Sequence, residues 1–457
     1  MIVLKFGGTS VADAERMLSA AALVRDCRER RPVVVVSALG GVTDALIKGA
    51  EVALRGDESA LEPLLAQLRD RHDQMGRILA ERAGEDWQAL RRDLEPALER
   101  ISAIYRGLVL LRELSPRVSD LLAGLGEILS SRLMVYACRA QGVPAAWVDP
   151  REWLLTNEEF GRAQPLWEEV RQLVGANFPP IVQNHQVPVT GGFVGSTLKG
   201  TPTTLGRGGS DFSAAILGVC LEAEEIQIWT DVDGMMTSDP RVVPEARLLE
   251  EISFDEASEL AYFGAKVLHP STIKPAMEAG IPVRVLNTLK PKMSGTRITA
   301  SGSGERIIRA IATKKGITGI TLSSPRMLMA HGFLAFIFQV FDKYSTAVDL
   351  VATSEVSVSL TVDDVRSLEL IRRDLQPHCR VVVQRDLAVI SVVGRNFLHQ
   401  TGVAGRVFGA LREINLLMVS FGASDINLSF VVKQADADTA VRLLHRELLE
   451  PATVAHL

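Results

Sequence analysis

The run Val33-Val34-Val35-Val36 constrains this chain more than any other feature. Consecutive β-branched residues leave no polar face, so the run suits a parallel strand covered on both sides. It ends in Ser37-Ala38-Leu39-Gly40-Gly41-Val42-Thr43-Asp44, a glycine loop followed by helical spacing. The chain also opens this way. Residues 2–6 (Ile-Val-Leu-Lys-Phe) run into Gly7-Gly8-Thr9-Ser10, and a helix is predicted from near Asp13, with apolar positions at Met17, Ala20, Ala21 and Val24. Strand, glycine loop and helix, repeated, predict an α/β fold with a parallel-rich sheet.

Further strands are predicted at 145–148, 187–193 and 225–230. The last two end in Thr190-Gly191-Gly192 and Thr230-Asp231-Val232-Asp233-Gly234. Ligands of open α/β sheets bind outside the carboxyl ends of strands. Residues 206–211, Gly-Arg-Gly-Gly-Ser-Asp, add a fifth polar loop to that rim and lead into a buried-helix pattern. Glycines admit a ligand to the backbone, a helix N-terminus favours an anion, and Arg207 offers a planar fork to a carboxylate or phosphate. A tight turn capped by Asp211 is the plainer alternative. Lys5 precedes its glycines, so this is no Walker loop, yet a lysine against a Gly-Gly turn suits phosphate oxygens; a solvated lysine is the alternative. Residues 43–141 read as mostly helical, with breaks at Gly56-Asp57, Gly84-Glu85 and Ser115-Pro116. Arg69, Asp70, Arg71 and Asp73 read as a solvated helix face. Gly124-Leu125-Gly126 inside a helix costs stability, tolerable where a ligand or another backbone approaches. Glu127 beside it suits an ammonium group, or is an exposed residue at a helix crossing. Lys266, at the end of an amphipathic stretch, suits a nucleotide phosphate or is a surface lysine.

The 457 residues exceed one typical domain, and 47% hydrophobic with 23% charged residues fits a globular protein. A net charge of −5 gives no reason to expect nucleic acid or an anionic membrane as partner. No apolar run approaches ~18 residues, and the N-terminus lacks a signal-peptide pattern, so a cytoplasmic protein without a membrane span is expected. Cys27, Cys138, Cys220 and Cys379 are widely spaced and read as small buried hydrophobes. The eight histidines do not cluster as metal ligands, so no protein-held metal is expected. Residues 290–305 read as a linker. Beyond them two βαββαβ-like units follow. The first has strands at 317–322, 347–354, 356–362 and 380–384; the second has strands at 388–393, 416–422 and 427–432 but lacks its last one. The spare strand 307–313 would fill that edge, placing one small domain within the other.

The Lys5-Phe6-Gly7-Gly8-Thr9-Ser10 start, Gly126-Glu127, the 206–211 loop, Trp229-Thr230-Asp231-Val232, Thr237-Ser238-Asp239-Pro240-Arg241 and Phe263-Gly264-Ala265-Lys266-Val267-Leu268-His269-Pro270 together resemble the aspartate kinases, most nearly the lysine-sensitive, single-activity type. The resemblance implies the amino-acid kinase fold, an eight-stranded parallel-rich sheet between helices, over residues 1–289. It implies two α+β ferredoxin-like ACT domains, at 316–386 and at 306–315 with 387–450. The implied reaction is ATP-dependent phosphorylation of L-aspartate to 4-phospho-L-aspartate, the first step toward lysine, threonine and methionine. Lys5 would meet the transferring phosphoryl with the N–H groups of Gly7 and Gly8, and Asp211 would orient Lys5. Thr43, Glu127, Arg207 and Ser210 would hold aspartate, with Glu127 on its ammonium. Thr230, Asp231, Met236, Arg241, Lys266 and Val267, with Lys5, would hold ATP, and Mg²⁺ would ride on its phosphates. Met236 stands where relatives often carry an aromatic residue. L-lysine would bind as inhibitor through Met327, Gly332, Phe333, Leu334, Val348 and Asp349. Met329, Ala330 and Ala347 stand where lysine-sensitive relatives tend to be polar, so threonine also stays open as effector. A homodimer through the ACT domains, or a tetramer, would follow. The competing readings are a kinase of the same fold acting on glutamate or acetylglutamate, and a non-catalytic amino-acid sensor.

Overall fold

A computed structural model describes residues 1–264, 268, 270–302, 307–327 and 331–450. The chain divides into two compact units. The first comprises Met1–Gly234, Glu250–Phe254 and Val267–Gly302; the second comprises Met235–Leu249, Asp255–Lys266 and Ser303–Leu457.

Among its described residues the first unit holds ten strands: β1 (Ile2–Phe6), β2 (Pro32–Val36), β3 (Ala145–Val148), β4 (Val187–Gly191), β5 (Val194–Ser196), β6 (Pro202–Thr204), β7 (Glu225–Thr230), β8 (Glu251–Ser253), β9 (Val283–Asn287) and β10 (Thr296–Thr299). Eight of them form one sheet in the order β3-β4-β2-β1-β7-β9-β10-β8. Its pairings are parallel except between β9 and β10. The side chains of β2 are buried throughout, as their unbroken β-branched run requires. The putting-aside of 290–305 as a linker fails here, because β10 lies inside it and joins the sheet. Gly295, at φ +63°, makes the turn that returns the chain along β9.

Helices α1 (Ala14–Asp26), α2 (Val42–Leu54), α3 (Glu58–Ala83), α4 (Trp87–Leu111) and α5 (Pro116–Ala140) break where glycines and capping residues dictate. Asp57, Asp86 and Ser115 accept N–H bonds at the starts of α3, α4 and α5, and Gly84 ends α3 at φ +68°. Arg69, Asp70, Arg71 and Asp73 do not all form a solvated face. Arg69 pairs with Glu95 at 2.8 Å, and Arg71 donates to the Ala12 carbonyl. Helix α5 is long and apolar enough by composition to cross a membrane, a reading the local sequence did not give, but 89% of its most apolar window is buried within the protein. Gly124 and Gly126 explain part of that burial. A Cβ at either would lie 2.9 Å from Val194 or Ala38, so the glycines let α5 press against β5 and the loop after β2. Helices α6 (Pro150–Trp153), α7 (Trp167–Gln183) and α8 (Gly209–Cys220) complete the run up to β7.

The second unit contains a six-stranded antiparallel sheet. Its strands are β11 (Ile308–Ser323), β12 (Val351–Thr353), β13 (Ser357–Val362), β14 (Arg380–Gly394), β15 (Met418–Ser420) and β16 (Asn427–Lys433), in the order β12-β13-β11-β14-β16-β15. The expected pairs of short strands at 307–313 with 317–322, and at 380–384 with 388–393, are single long strands. Gly316, at φ +75°, sits at a register shift that bends β11 without ending it. The strand expected at 347–354 is only β12, and that at 416–422 only β15. One core gathers around the first halves of β14 and the last halves of β11, with helices α11 (Phe333–Lys343) and α12 (Leu368–Leu375). Another gathers around the opposite halves, with α13 (Val403–Ala410) and α14 (Ala437–Leu448). Between β7 and β11 lie α9 (Phe254–Tyr262) and α10 (Pro270–Glu278). Residues 235–249, within the expected 1–289 domain, pack with the second unit. The N–H of Ile311 donates to Thr237, Thr237 Oγ1 lies 3.0 Å from His445 Nε2, and Val243 packs with Ile308 and Ile311.

His72, on α3, is fully enclosed, with Nδ1 2.7 Å from the Leu68 carbonyl, and burial pushes its pKa down to about 4. An unfolded chain takes up this proton near pH 6.5, whereas the folded chain resists until about 4. The neutral ring therefore contributes stability above pH 6.5 that is lost as pH falls through that window, about 3 kcal/mol at most. His72→Leu should flatten the fall of the urea-unfolding free energy between pH 6.5 and 4 by close to one proton; an unchanged slope refutes the assignment.

Candidate active site

Strands β1, β2, β4 and β7 are neighbours or near neighbours in the sheet and run the same way, so their carboxyl ends form one rim. Lys5 lies at the end of β1, only 9% exposed. Its Nζ is 2.6 Å from Asp211 Oδ1, in the first turn of α8. The sequence proposed that these two residues, 206 positions apart by number (211 − 5), act together, and the fold makes them an ion pair.

Glycines set the approach of the surrounding loops. A Cβ on Gly8 would lie 2.8 Å from the Ala38 carbonyl oxygen, so the loops after β1 and β2 touch. A Cβ on Gly192 would lie 2.7 Å from Ser210, which seats the loop after β4 against the start of α8. Gly7 corrects the expected phosphate cradle. Its N–H donates to the Trp229 carbonyl at 3.0 Å, so in this conformation it fastens the end of β1 to β7. Thr43 is half-buried in the first turn of α2, behind Gly41 at φ +79°. Arg207 is exposed, between Gly206 at φ +81° and Gly208 at φ +72°. Thr230 is half-buried at the end of β7, its hydroxyl donating to the exposed Asp231.

Glu127 is not an exposed residue at a helix crossing. It projects from α5 and is only 4% exposed, and a Cβ on Gly191 would lie 3.1 Å from its carbonyl oxygen. Burial pushes its pKa up to about 8, against the opposing pull of the Ala38 N–H and the charge of Lys5. Ser130, one turn on, donates to the Ser37 carbonyl at 2.7 Å and so ties α5 to the loop after β2.

Met236 and Arg241 belong to the second unit, where Arg241 forms a fork with Asp239 at 2.7 Å. Lys266 and Val267 lie outside the described residues, as do Met329 and Ala330. Of the effector candidates, Met327 ends a short 3₁₀ turn, Gly332 caps α11 at φ +81°, and Phe333 and Val348 pack against the neighbouring core. Leu334 is 44% exposed. Asp349 is not an open acceptor as the sequence suggested. Its side chain is 3% exposed, 3.0 Å from Lys314 Nζ, and accepts the Tyr262 hydroxyl at 2.7 Å.

Three further residues were given no role from the sequence. Ser10 Oγ lies 2.6 Å from Thr288 Oγ1, and Thr288 donates to the Thr230 carbonyl, so these two brace the ends of β1, β7 and β9. Asp120, buried on α5, accepts from Thr204 and Gly161. Thr288 and Asp120 belong to no local motif, whereas Ser10 closes the glycine loop after β1. Each is identified only by partners distant in the chain.

A lysine–carboxylate pair, a buried carboxyl and a helix N-terminus on the carboxyl rim of a parallel sheet define a phosphotransferase-type α/β site. The comparisons give this class its particular form. A profile of the amino acid kinase family matches residues 1–287, and one of the ACT domain matches residues 390–448. Lysine-sensitive aspartokinase 3 of Escherichia coli K12 is 38% identical, covering 98% of this chain and 99% of that protein. The chloroplastic aspartokinase 1 of Arabidopsis thaliana is 36% identical, covering 100% of this chain and 81% of that protein. Crystal structures of E. coli aspartokinase III superpose with TM-scores of 0.86, for the R-state complex with aspartate and ADP, and 0.83, for the T-state complex with lysine and aspartate. Each has 38% identity and covers 98% of this chain and 100% of that one. This chain belongs to the aspartokinase family.

An ammonium group placed against Glu127 should expel its proton. A ligand whose ammonium group meets Glu127 should therefore release close to one proton at pH 7 and bind more tightly as pH rises through about 8. Calorimetry in buffers of different ionisation enthalpy reads the proton directly. Wild-type binding without proton release, or Glu127→Gln releasing it equally, would refute this role.

Proposed function

We propose that this chain transfers the γ-phosphoryl group of ATP to the side-chain carboxylate of L-aspartate, giving 4-phospho-L-aspartate and ADP. The observation that carries the reading is the Lys5–Asp211 ion pair on the carboxyl rim, with the buried Glu127 close enough to sense Lys5. Phosphoryl transfer is mainly positioning and charge stabilisation. The aspartate nucleophile, with a pKa of about 3.9, is already ionised at neutral pH, so the site needs no general base. Asp211 then holds Lys5 toward the phosphoryl oxygens, aided by Gly8. Glu127 takes the substrate ammonium, Arg207 its α-carboxylate, and Thr43 and Ser210 its remaining polar atoms. Thr230 and Asp231, at the end of β7, hold the nucleotide. Glu127 also speaks against an acylated substrate such as acetylglutamate, which has no ammonium to offer it.

Mg²⁺ fits as a companion of the nucleotide phosphates. Among the described residues no three His, Cys, Asp or Glu side chains converge to hold a metal ion, and Asp211 is engaged by Lys5. Bound there, it would neutralise phosphate charge. The protein's own part is to align the carboxylate with Lys5.

The reading includes feedback inhibition by L-lysine, supported by the names of the E. coli relative and its lysine complex. The effector ammonium would compete with Lys314 for Asp349. The same reading includes association through the ACT domains as a homodimer or a tetramer.

With ATP and aspartate, the protein should form an acyl phosphate that hydroxylamine traps, and Lys5→Ala should lower kcat about 10²–10³-fold. Faster trapping with glutamate would overturn the substrate, and near-wild-type kcat would remove Lys5 from the chemistry. Asp349→Ala should raise the lysine concentration for half-inhibition about tenfold, a span typical of allosteric coupling. An unchanged inhibition curve would move the effector site elsewhere.

A further inference from the structure

Asp120 has no part in the roles assigned above, yet it is one of the most heavily engaged buried carboxylates in the first unit. It lies on α5 and is 4% exposed. Oδ2 accepts the backbone N–H of Thr204 at 2.8 Å and that of Gly161 at 2.9 Å, and Oδ1 accepts the Thr204 hydroxyl at 2.8 Å. A buried carboxylate is costly unless its oxygens are satisfied, and here three donors satisfy them.

What those donors belong to gives Asp120 its role. Thr204 ends β6, and the next residues are the 206–211 loop with Arg207. Gly161 belongs to the turn on which that loop rests. A Cβ on Gly206 would lie 2.8 Å from the Gly161 carbonyl oxygen, and the Thr204 carbonyl accepts the Ala163 N–H. Asp120 thus fastens both layers beneath Arg207 to α5. Glu127 stands on the same helix two turns further on, and seven residues bring it back to nearly the same face. The Lys5–Asp211 pair is anchored separately. Asp211 lies in α8, which the Ser213 hydroxyl ties to the Phe193 N–H and which buries Ala214, Ala215, Ile216 and Leu217.

We infer that Asp120 is a positioning residue that fixes the distance between Arg207 and Glu127, and so sets recognition of the substrate's α-carboxylate and α-ammonium together. The inference rests on the proposed roles of those two residues. Asparagine at this position keeps the shape but loses the charge that strengthens the two N–H bonds, and the Thr204 hydroxyl must turn to accept from its NH₂, so residues 206–208 shift while the Lys5–Asp211 pair stays.

Steady-state kinetics of the full chain test this. Asp120→Asn should raise KM for aspartate at least tenfold, lower kcat less than threefold and leave KM for ATP within twofold. Thr204→Val, which removes only the hydroxyl donor, should raise KM for aspartate about threefold, and it serves as the test if Asp120→Asn does not fold. Arg207→Lys should itself raise KM for aspartate, and adding Asp120→Asn should raise it little further. A normal KM in Arg207→Lys would refute the clamp reading, whatever Asp120 does. With Arg207→Lys impaired, the positioning role is overturned by any of three results: equal losses for aspartate and ATP, a fall in kcat at normal KM, or fully multiplicative effects in the double variant.

Discussion

The Lys5–Asp211 ion pair joins the end of β1 to the first turn of α8 at 2.6 Å, and the architecture of the first unit converges on it. A largely buried lysine is stable as a cation only beside a partner held in place. The sheet supplies one half, since β1 lies between β2 and β7 and cannot shift without breaking both ladders. Helix α8 supplies the other, because Gly206 and Gly208 in left-handed conformations turn the chain sharply enough to start it at the rim. Glu127 completes the arrangement as a buried acid near a paired base. Lys5 pulls its proton off, burial holds the proton on, and burial prevails.

This balance suits a substrate that brings its own charges. An amino acid offers an ammonium and carboxylates whose water must be replaced inside the site. A neutral Glu127 is the less costly resting form of a buried carboxyl, and it can become an anion when a cation arrives. Charge is then created in the apolar interior together with its counter-ion, which avoids a standing unpaired carboxylate.

Much of this was legible in the chain, for reasons that differ by residue. The β2 run declared a doubly covered strand because β-branched residues have few other uses in such density. Lys5, the glycine loops and Arg207 were legible because each lies in a local motif. The helix breaks at 56–57, 84–85 and 115–116 were legible because capping is local chemistry. Long-range partners were not. The Gly7 N–H goes to Trp229, Asp349 is met by Lys314 and Tyr262, and Asp120 gathers donors 41 and 84 positions away. Nothing in the neighbouring residues announces such contacts. The continuity of β11 and β14 was hidden similarly, because a register shift at Gly316 leaves both halves of β11 paired with β14.

The sharing of β11 and β14 between two cores bears on how the chain is made. In β11, Ile311 leaves the ribosome before Ile320, yet its ladder partner Val392 follows Val383, the partner of Ile320. The half of the sheet begun first is therefore closed last. Its opening segment must wait, unpaired along one edge, while the other half assembles. Long-range pairing of this kind is slow and leaves an edge open to mispairing. Neither half is a separable cassette: cutting the chain between them would divide β14 and leave each fragment short of a strand.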